Sequence, residues 1–104
     1  MDLSDFHRFS DPALLVLASL AGGSKHGYAM MEDIASMTGT RLSPGTLYGA
    51  LARLEHHRLI EPEASSDRRR PYRLTPTGAA MLQEQLTSLR DFAAEGLQRL
   101  ARPC

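Results

Sequence analysis

Three groups of residues in the chain have the types and spacing for chemistry, and in each case that chemistry is recognition of a polyanion. The first is Ser43-Pro44-Gly45-Thr46-Leu47-Tyr48-Gly49, followed by Arg53. Ser43, Gly45, Thr46 and Gly49 are small, so a backbone carrying them can approach a nucleic acid closely. Helix-terminal amides and their dipole meet a phosphate, the Tyr48 hydroxyl donates to one, and Arg53 reaches a phosphate or a guanine edge. A plain amphipathic core helix with a good cap would carry the same residues, so the neighbours must decide. The second group is Arg68-Arg69-Arg70, with Arg73 close behind. Alone it reads as a solvated loop; beside a groove-reading helix it reads as a tip that enters the minor groove or follows phosphates. The third group is Lys25, His26 and Tyr28, at the start of a helix that would face the same backbone. Tyr28 has two open readings, a groove-facing phenol and a core residue.

Other chemistry is not expected. His56 and His57 are adjacent, so a helix points them in different directions and no second ligand cluster stands near them. The sequence has no metal-ligand spacing, phosphate loop, nucleophile elbow or Ser/His/Asp set, and neither an enzyme nor a cofactor is expected.

The elements that must position these groups are well punctuated. Asp11-Pro12, Ser43-Pro44 and Thr75-Pro76 each place a capping oxygen before a proline suited to a first helical turn. A first helix is predicted from Pro12 to Ala21, apolar nearly all round and stopped by Gly22-Gly23. A second runs from His26 to Thr38, with Tyr28, Met31, Ile34 and Ala35 as its inward face and Gly39 as its cap. A third runs from Pro44 to about His57, with Leu47, Leu51 and Leu54 as a buried stripe and Leu42 stapled on Leu47. Leu59 to Ala64 and Arg70 to Leu74 read as short strands around the turn Ser65-Ser66-Asp67-Arg68, with Pro62 and Pro71 confining them to edges. The last helix runs from Thr75-Pro76 to about Arg102.

This order predicts a mainly α fold with a small β-hairpin: a winged helix-turn-helix domain over residues 1–75 and a C-terminal helix over 76–104. The last helix carries Leu82, Leu86, Leu89, Phe92, Ala93, Leu97 and Leu100, a stripe too long for one small subunit to cover. Together with Leu14 and Leu17 of the first helix it predicts a homodimer interface. Phe6 and Phe9 either join the packing there or line a pocket for a small-molecule effector.

Composition agrees. With 42% hydrophobic and 23% charged residues the chain is an ordinary globular one, not a disordered one. Its net charge is zero, which argues against indiscriminate coating of nucleic acid or membrane, yet the arginine run concentrates positive charge locally. No apolar run suffices to span a membrane, the acidic start is unlike a secretory signal, and Cys104 has no internal partner. A cytoplasmic protein is expected. A protein-interaction module that keeps the fold without binding DNA is the alternative, favoured by the neutral total and the few base-reading side chains.

Leu14 to Leu82 resembles the PadR-like transcriptional regulators. The resemblance lies in Leu15-Val16-Leu17, His26-Gly27-Tyr28, Ser43 through Tyr48, Leu51, Arg53-Leu54-Glu55, Leu59-Ile60, the wing arginines, Tyr72-Arg73-Leu74-Thr75 and Gly78. It implies a winged-helix domain dimerised through a single C-terminal helix, and a repressor of duplex DNA relieved by an effector. By the same resemblance Thr46 and Tyr48 match recognition-helix contacts, Arg68 to Arg70 match the wing, and Tyr28 lies near the DNA backbone or the core. Two positions depart from the family. Arg58 stands where glycine is common after the third helix, which requires a left-handed arginine or a different helix end. Gly49 replaces a frequent proline and loosens the helix by about 1 kcal/mol relative to alanine.

Overall fold

A computed structural model describes residues 11–64 and 69–102. The elements are α1 (Pro12–Ala21), α2 (Gly27–Thr38), α3 (Pro44–His56), β1 (Ile60–Pro62), β2 (Tyr72–Leu74) and α4 (Pro76–Ala101). The turn Ser65 to Arg68, Phe6, Phe9 and Cys104 lie outside the described residues.

The three proline-led starts all form caps. The Asp11 carboxylate accepts from the Ala13 amide at 3.0 Å, Ser43 Oγ from Thr46 at 3.2 Å, and Thr75 Oγ1 from Gly78 at 3.0 Å. Each satisfies an otherwise orphaned amide and stabilises its helix by about 1 kcal/mol. Gly39 ends α2 in the left-handed conformation, its amide donating to the Ala35 carbonyl at 2.8 Å.

α1 is the centre of the core, with Leu15, Val16, Leu17, Ser19 and Leu20 all buried. It packs against α2, α3, β2 and α4. Met30 and Ile34 come in from α2, Leu47, Ala50, Leu51 and Leu54 from α3, Leu59, Ile60 and Tyr72 from the hairpin region, and Leu82 from α4. The inward face of α2 differs from the predicted one. Met30 and Ile34 fill the core while Met31 and Ala35 are half-buried and Tyr28 points outward. Tyr28 lies two residues before Met30, which places it on the opposite side of the helix.

The hairpin is antiparallel, with Ile60 opposite Leu74, Glu61 opposite Arg73 and Pro62 opposite Tyr72. Its strands are shorter than the sequence suggests because the two prolines interrupt the ladder. The far edge of β2 is covered by Lys25, whose amide donates to the Tyr72 carbonyl at 3.2 Å and whose carbonyl accepts from the Tyr72 amide at 2.9 Å. This bridge pins the start of α2 to the base of the wing.

The α3 exit takes the left-handed route. Arg58 has φ of 59°. Its amide donates to the Glu55 carbonyl at 3.0 Å and the Leu59 amide to the Leu54 carbonyl at 2.9 Å, the paired bonds of a Schellman turn with a non-glycine residue at its left-handed position. Leu54 and Leu59, both buried, make the apolar contact that accompanies such a turn. The next junction is built on this one. Thr75 Oγ1 donates to the Arg58 carbonyl at 2.7 Å and the Thr75 amide to the Leu59 carbonyl at 3.1 Å. A Cβ at Gly78 would overlap the Leu59 carbonyl oxygen, so the first turn of α4 sits there only because residue 78 has no side chain. α4 then extends about 39 Å, and Gly96 does not interrupt it.

Replacing Arg58 by glycine removes the left-handed strain and is expected to stabilise the fold by about 1 kcal/mol. The urea midpoint should rise at unchanged slope. A fall in midpoint would show that the turn is unstrained and that the arginine contributes through its side chain.

Candidate nucleic-acid interface

Three elements converge on one face: the start of α2, the outer side of α3 and the base of the wing. They enclose an open groove of about 400 Å³ lined by His26, Gly27, Tyr28, Tyr48, Arg69, Arg70 and Tyr72. The chain contains three tyrosines, and all three line this groove. Tyr28 and Tyr48 are 63% and 53% exposed, whereas Tyr72 is buried. The outward reading of Tyr28 is therefore the one the fold adopts.

Tyr48 is seated by an absence. A Cβ on Gly27 would lie 2.6 Å from the Tyr48 hydroxyl oxygen, so the phenol lies across the first turn of α2 because that position is glycine. Ser43, Gly45 and Thr46 are exposed beside it at the start of α3. Ser43 Oγ donates to Thr46 Oγ1 at 2.9 Å, which leaves the threonine hydroxyl hydrogen to donate outward. Arg53 is exposed in the last turn of the same helix.

The wing arginines are held at its base. Arg70 lies 3.7 Å from the Glu55 carboxylate of α3 and 5.8 Å from the centre of the Tyr72 ring. Arg69 Nη1 stands 3.3 Å from His26 Nε2. Arg68 lies outside the described residues. Glu55, Gly27 and Tyr72 also belong to this face although their residue types do not mark them as site residues, and His26 joins it from the start of α2. The His26-Gly27 pair was visible as a helix start, but its role depends on a tyrosine 21 positions on.

Lys25 requires a correction. Its ammonium turns inward, donating to the carbonyls of Ser19 at 2.6 Å and Gly23 at 3.2 Å, with the Asp33 carboxylate 3.8 Å away. Ser19, buried, donates to the same carboxylate at 2.7 Å. A side chain so engaged closes the end of α1 and does not reach the groove.

The expected pairing surface also contracts. Leu17 and Leu82 are buried in the core of their own subunit, where α1 and α4 pack, and have almost no area left for a partner. Leu14 is half-buried against the same core. Leu86, Leu89, Phe92, Ala93, Leu97 and Leu100 remain exposed along α4. Among them Phe92, Leu97 and Leu100 reach 78%, 68% and 85% exposure.

Residues 16–84 match the profile described as the transcriptional regulator PadR-like family. The chain belongs to that family. It is 39% identical over 87 residues to a transcriptional regulator of Mycobacterium tuberculosis, covering 81% of this chain and 80% of that protein. It is 46% identical over 82 residues to an uncharacterised protein of a Streptomyces fradiae transposon, covering 79% of this chain but only 24% of that one. The crystal structure of a PadR family transcription regulator from Clostridium difficile superposes with a TM-score of 0.77 at 25% identity, over 86% of this chain and 98% of that one. The PadR-like fold thus accounts for the order of helices, hairpin and long final helix, and this member is a transcriptional regulator with the mainly helical winged architecture.

Alanine at Gly27 tests the seating of Tyr48. The aromatic resonances of Tyr48 should shift while the melting temperature moves by only a few degrees, because the far end of a flexible side chain gives way rather than the backbone. Unmoved resonances would show that Gly27 does not set the position of the ring.

Proposed function

We propose that this regulator binds duplex DNA as a homodimer and represses transcription in the cytoplasm until a small-molecule effector releases it. The observation that carries the DNA reading is the convergence of two exposed phenols, one imidazole and two guanidinium groups in one groove beside the exposed N-terminus of α3. Phenol hydroxyls and guanidinium groups are phosphate donors, and the small residues Gly45 and Thr46 let the helix approach a major groove. In this division of labour residues 1–75 contact DNA and residues 76–104 pair two copies. Tyr28, Ser43, Gly45, Thr46, Tyr48 and Arg53 face the duplex from the helices, and Arg68, Arg69 and Arg70 from the wing.

The exposed apolar stripe of α4 supports the dimer. Leu86, Leu89, Phe92, Ala93, Leu97 and Leu100 would be covered by the second copy, with Leu14 at the margin. Two copies related by a two-fold axis read half-sites about one helical turn, or 34–36 Å, apart on an inverted repeat. A cleft of about 550 Å³ between α1, β2 and α4, lined by Leu74, Leu82, Leu86, Thr87 and Arg90 among others, supports an effector site next to that stripe.

Two measurements test the reading. Binding of a labelled duplex between about 50 and 200 mM salt should weaken steeply, and Arg69→Ala should flatten the slope of log affinity against log salt by about 0.9. An unaltered slope would remove Arg69 from the phosphate contacts. In sedimentation, wild type should run as a dimer and Leu97→Glu with Leu100→Glu as a folded monomer. A monomeric wild type would overturn the pairing.

Glu55 gives a third outcome. Its carboxylate competes with DNA for Arg70, so Glu55→Gln is expected to raise duplex affinity by up to about fivefold, the range of an exposed ion pair. Weaker binding by that variant would mean that Glu55 positions the arginine instead of withholding it.

A further inference from the structure

His26 makes two contacts whose chemical demands conflict. Its Nδ1 accepts from the Ala29 amide at 3.4 Å as the N-cap of α2. Its Nε2 lies 3.3 Å from Arg69 Nη1, which can only donate. A neutral ring that accepts at Nδ1 carries its proton on Nε2, so two donors then face each other. The other tautomer accepts from Arg69 but points an N–H at the Ala29 amide and gives up the cap. The doubly protonated ring has no acceptor for either neighbour. No state of the imidazole satisfies both contacts.

An oxyanion placed between Nε2 and Nη1 removes the conflict. With the two nitrogens 3.3 Å apart, an oxygen about 2.8 Å from each fits at ordinary charge-assisted distances. It accepts from both, keeps the proton on Nε2 and leaves Nδ1 to cap α2. Tyr48 and Arg70 line the same groove, so it holds further donors for a phosphate group. The geometry points to His26 as a phosphate-binding residue that delivers a neutral Nε2–H donor to a phosphate oxygen and is held in that tautomer by the helix it caps. The inference rests on the DNA reading for the source of the phosphate, but the chemistry would serve a free phosphate as well. It also makes the wing and the α2 cap interdependent, since Arg69 takes the histidine as acceptor only when the cap is given up.

Asparagine at position 26 is the informative variant. It caps helices well but is too short to meet Arg69, so the fold survives and the outward donor is lost. His26→Asn should lower duplex affinity about tenfold with an unchanged salt slope, because a neutral donor displaces no counterion, whereas Arg69→Gln should lower both. Nitrogen-15 spectra of the imidazole in the wild-type complex should show a protonated Nε2 and an unprotonated Nδ1. Titration with inorganic phosphate alone separates the sources: a response of Nε2 to it identifies a site for free phosphate, and a response to duplex only identifies the DNA backbone. Wild-type binding retained in full by His26→Asn, or a protonated Nδ1 with unprotonated Nε2 in the complex, would overturn the assignment while leaving DNA binding intact. If wild type ignores duplex yet Nε2 responds to inorganic phosphate, the DNA reading falls and the histidine site stands. If wild type ignores duplex and Nε2 responds to neither ligand, both fall.

Discussion

The close passage of α4 over the Leu59 carbonyl is the constraint on which the rest of the architecture depends. A backbone oxygen cannot yield to a Cβ, so Gly78 fixes where the long helix leaves the domain. The same carbonyl accepts the Thr75 amide, and the carbonyl before it accepts the Thr75 hydroxyl. Both belong to the left-handed turn that ends α3. The exit of α3, the spacing of the hairpin and the departure of α4 are therefore one structure. A change in the angle of α4 would propagate through this junction to the groove-facing helix with little slack.

Charge in this chain is spent mostly on holding elements together. Lys25 closes α1 with Asp33 beside it, Arg41 forms a two-pronged pair with Glu32 at 2.9 and 3.2 Å across the α2–α3 connection, and Arg73 pairs with Glu61 across the hairpin at 2.8 Å. The Arg41 guanidinium holds the Glu32 carboxyl below its ordinary range through hydrogen bonding first and charge second. Such a distribution explains how a chain of zero net charge can still present a basic face. Among the described residues that line the groove none is acidic, and Glu55 stands within reach of Arg70.

Much of the fold was legible because it is written in local chemistry. Three caps, a left-handed glycine and the Leu47, Leu51, Leu54 stripe each concern residues within a turn or two of one another. At position 58 the sequence leaves two helix ends open, a left-handed arginine or a different termination, and the fold takes the first. What escaped depends on tertiary neighbours. Lys25 looks like a surface cation until Ser19 and Asp33 are brought to it, and Tyr72 looks like a plain strand residue until Lys25 covers its edge. The α4 periodicity identifies an apolar face but not which subunit covers each part, so Leu82 and Leu17 were assigned to a partner when their own core had already taken them. At the candidate site, Tyr48 and the wing arginines were visible by type, whereas the dependence of Tyr48 on Gly27 exists only in the folded chain.

The gathering of every tyrosine into one groove has an optical consequence. The chain has no tryptophan, so its emission and most of its near-ultraviolet absorbance and circular dichroism arise from Tyr28, Tyr48 and Tyr72. These signals are accordingly confined to one face of the molecule and are insensitive to events along the far end of α4. The protein carries a native, label-free chromophore at the surface where recognition is proposed.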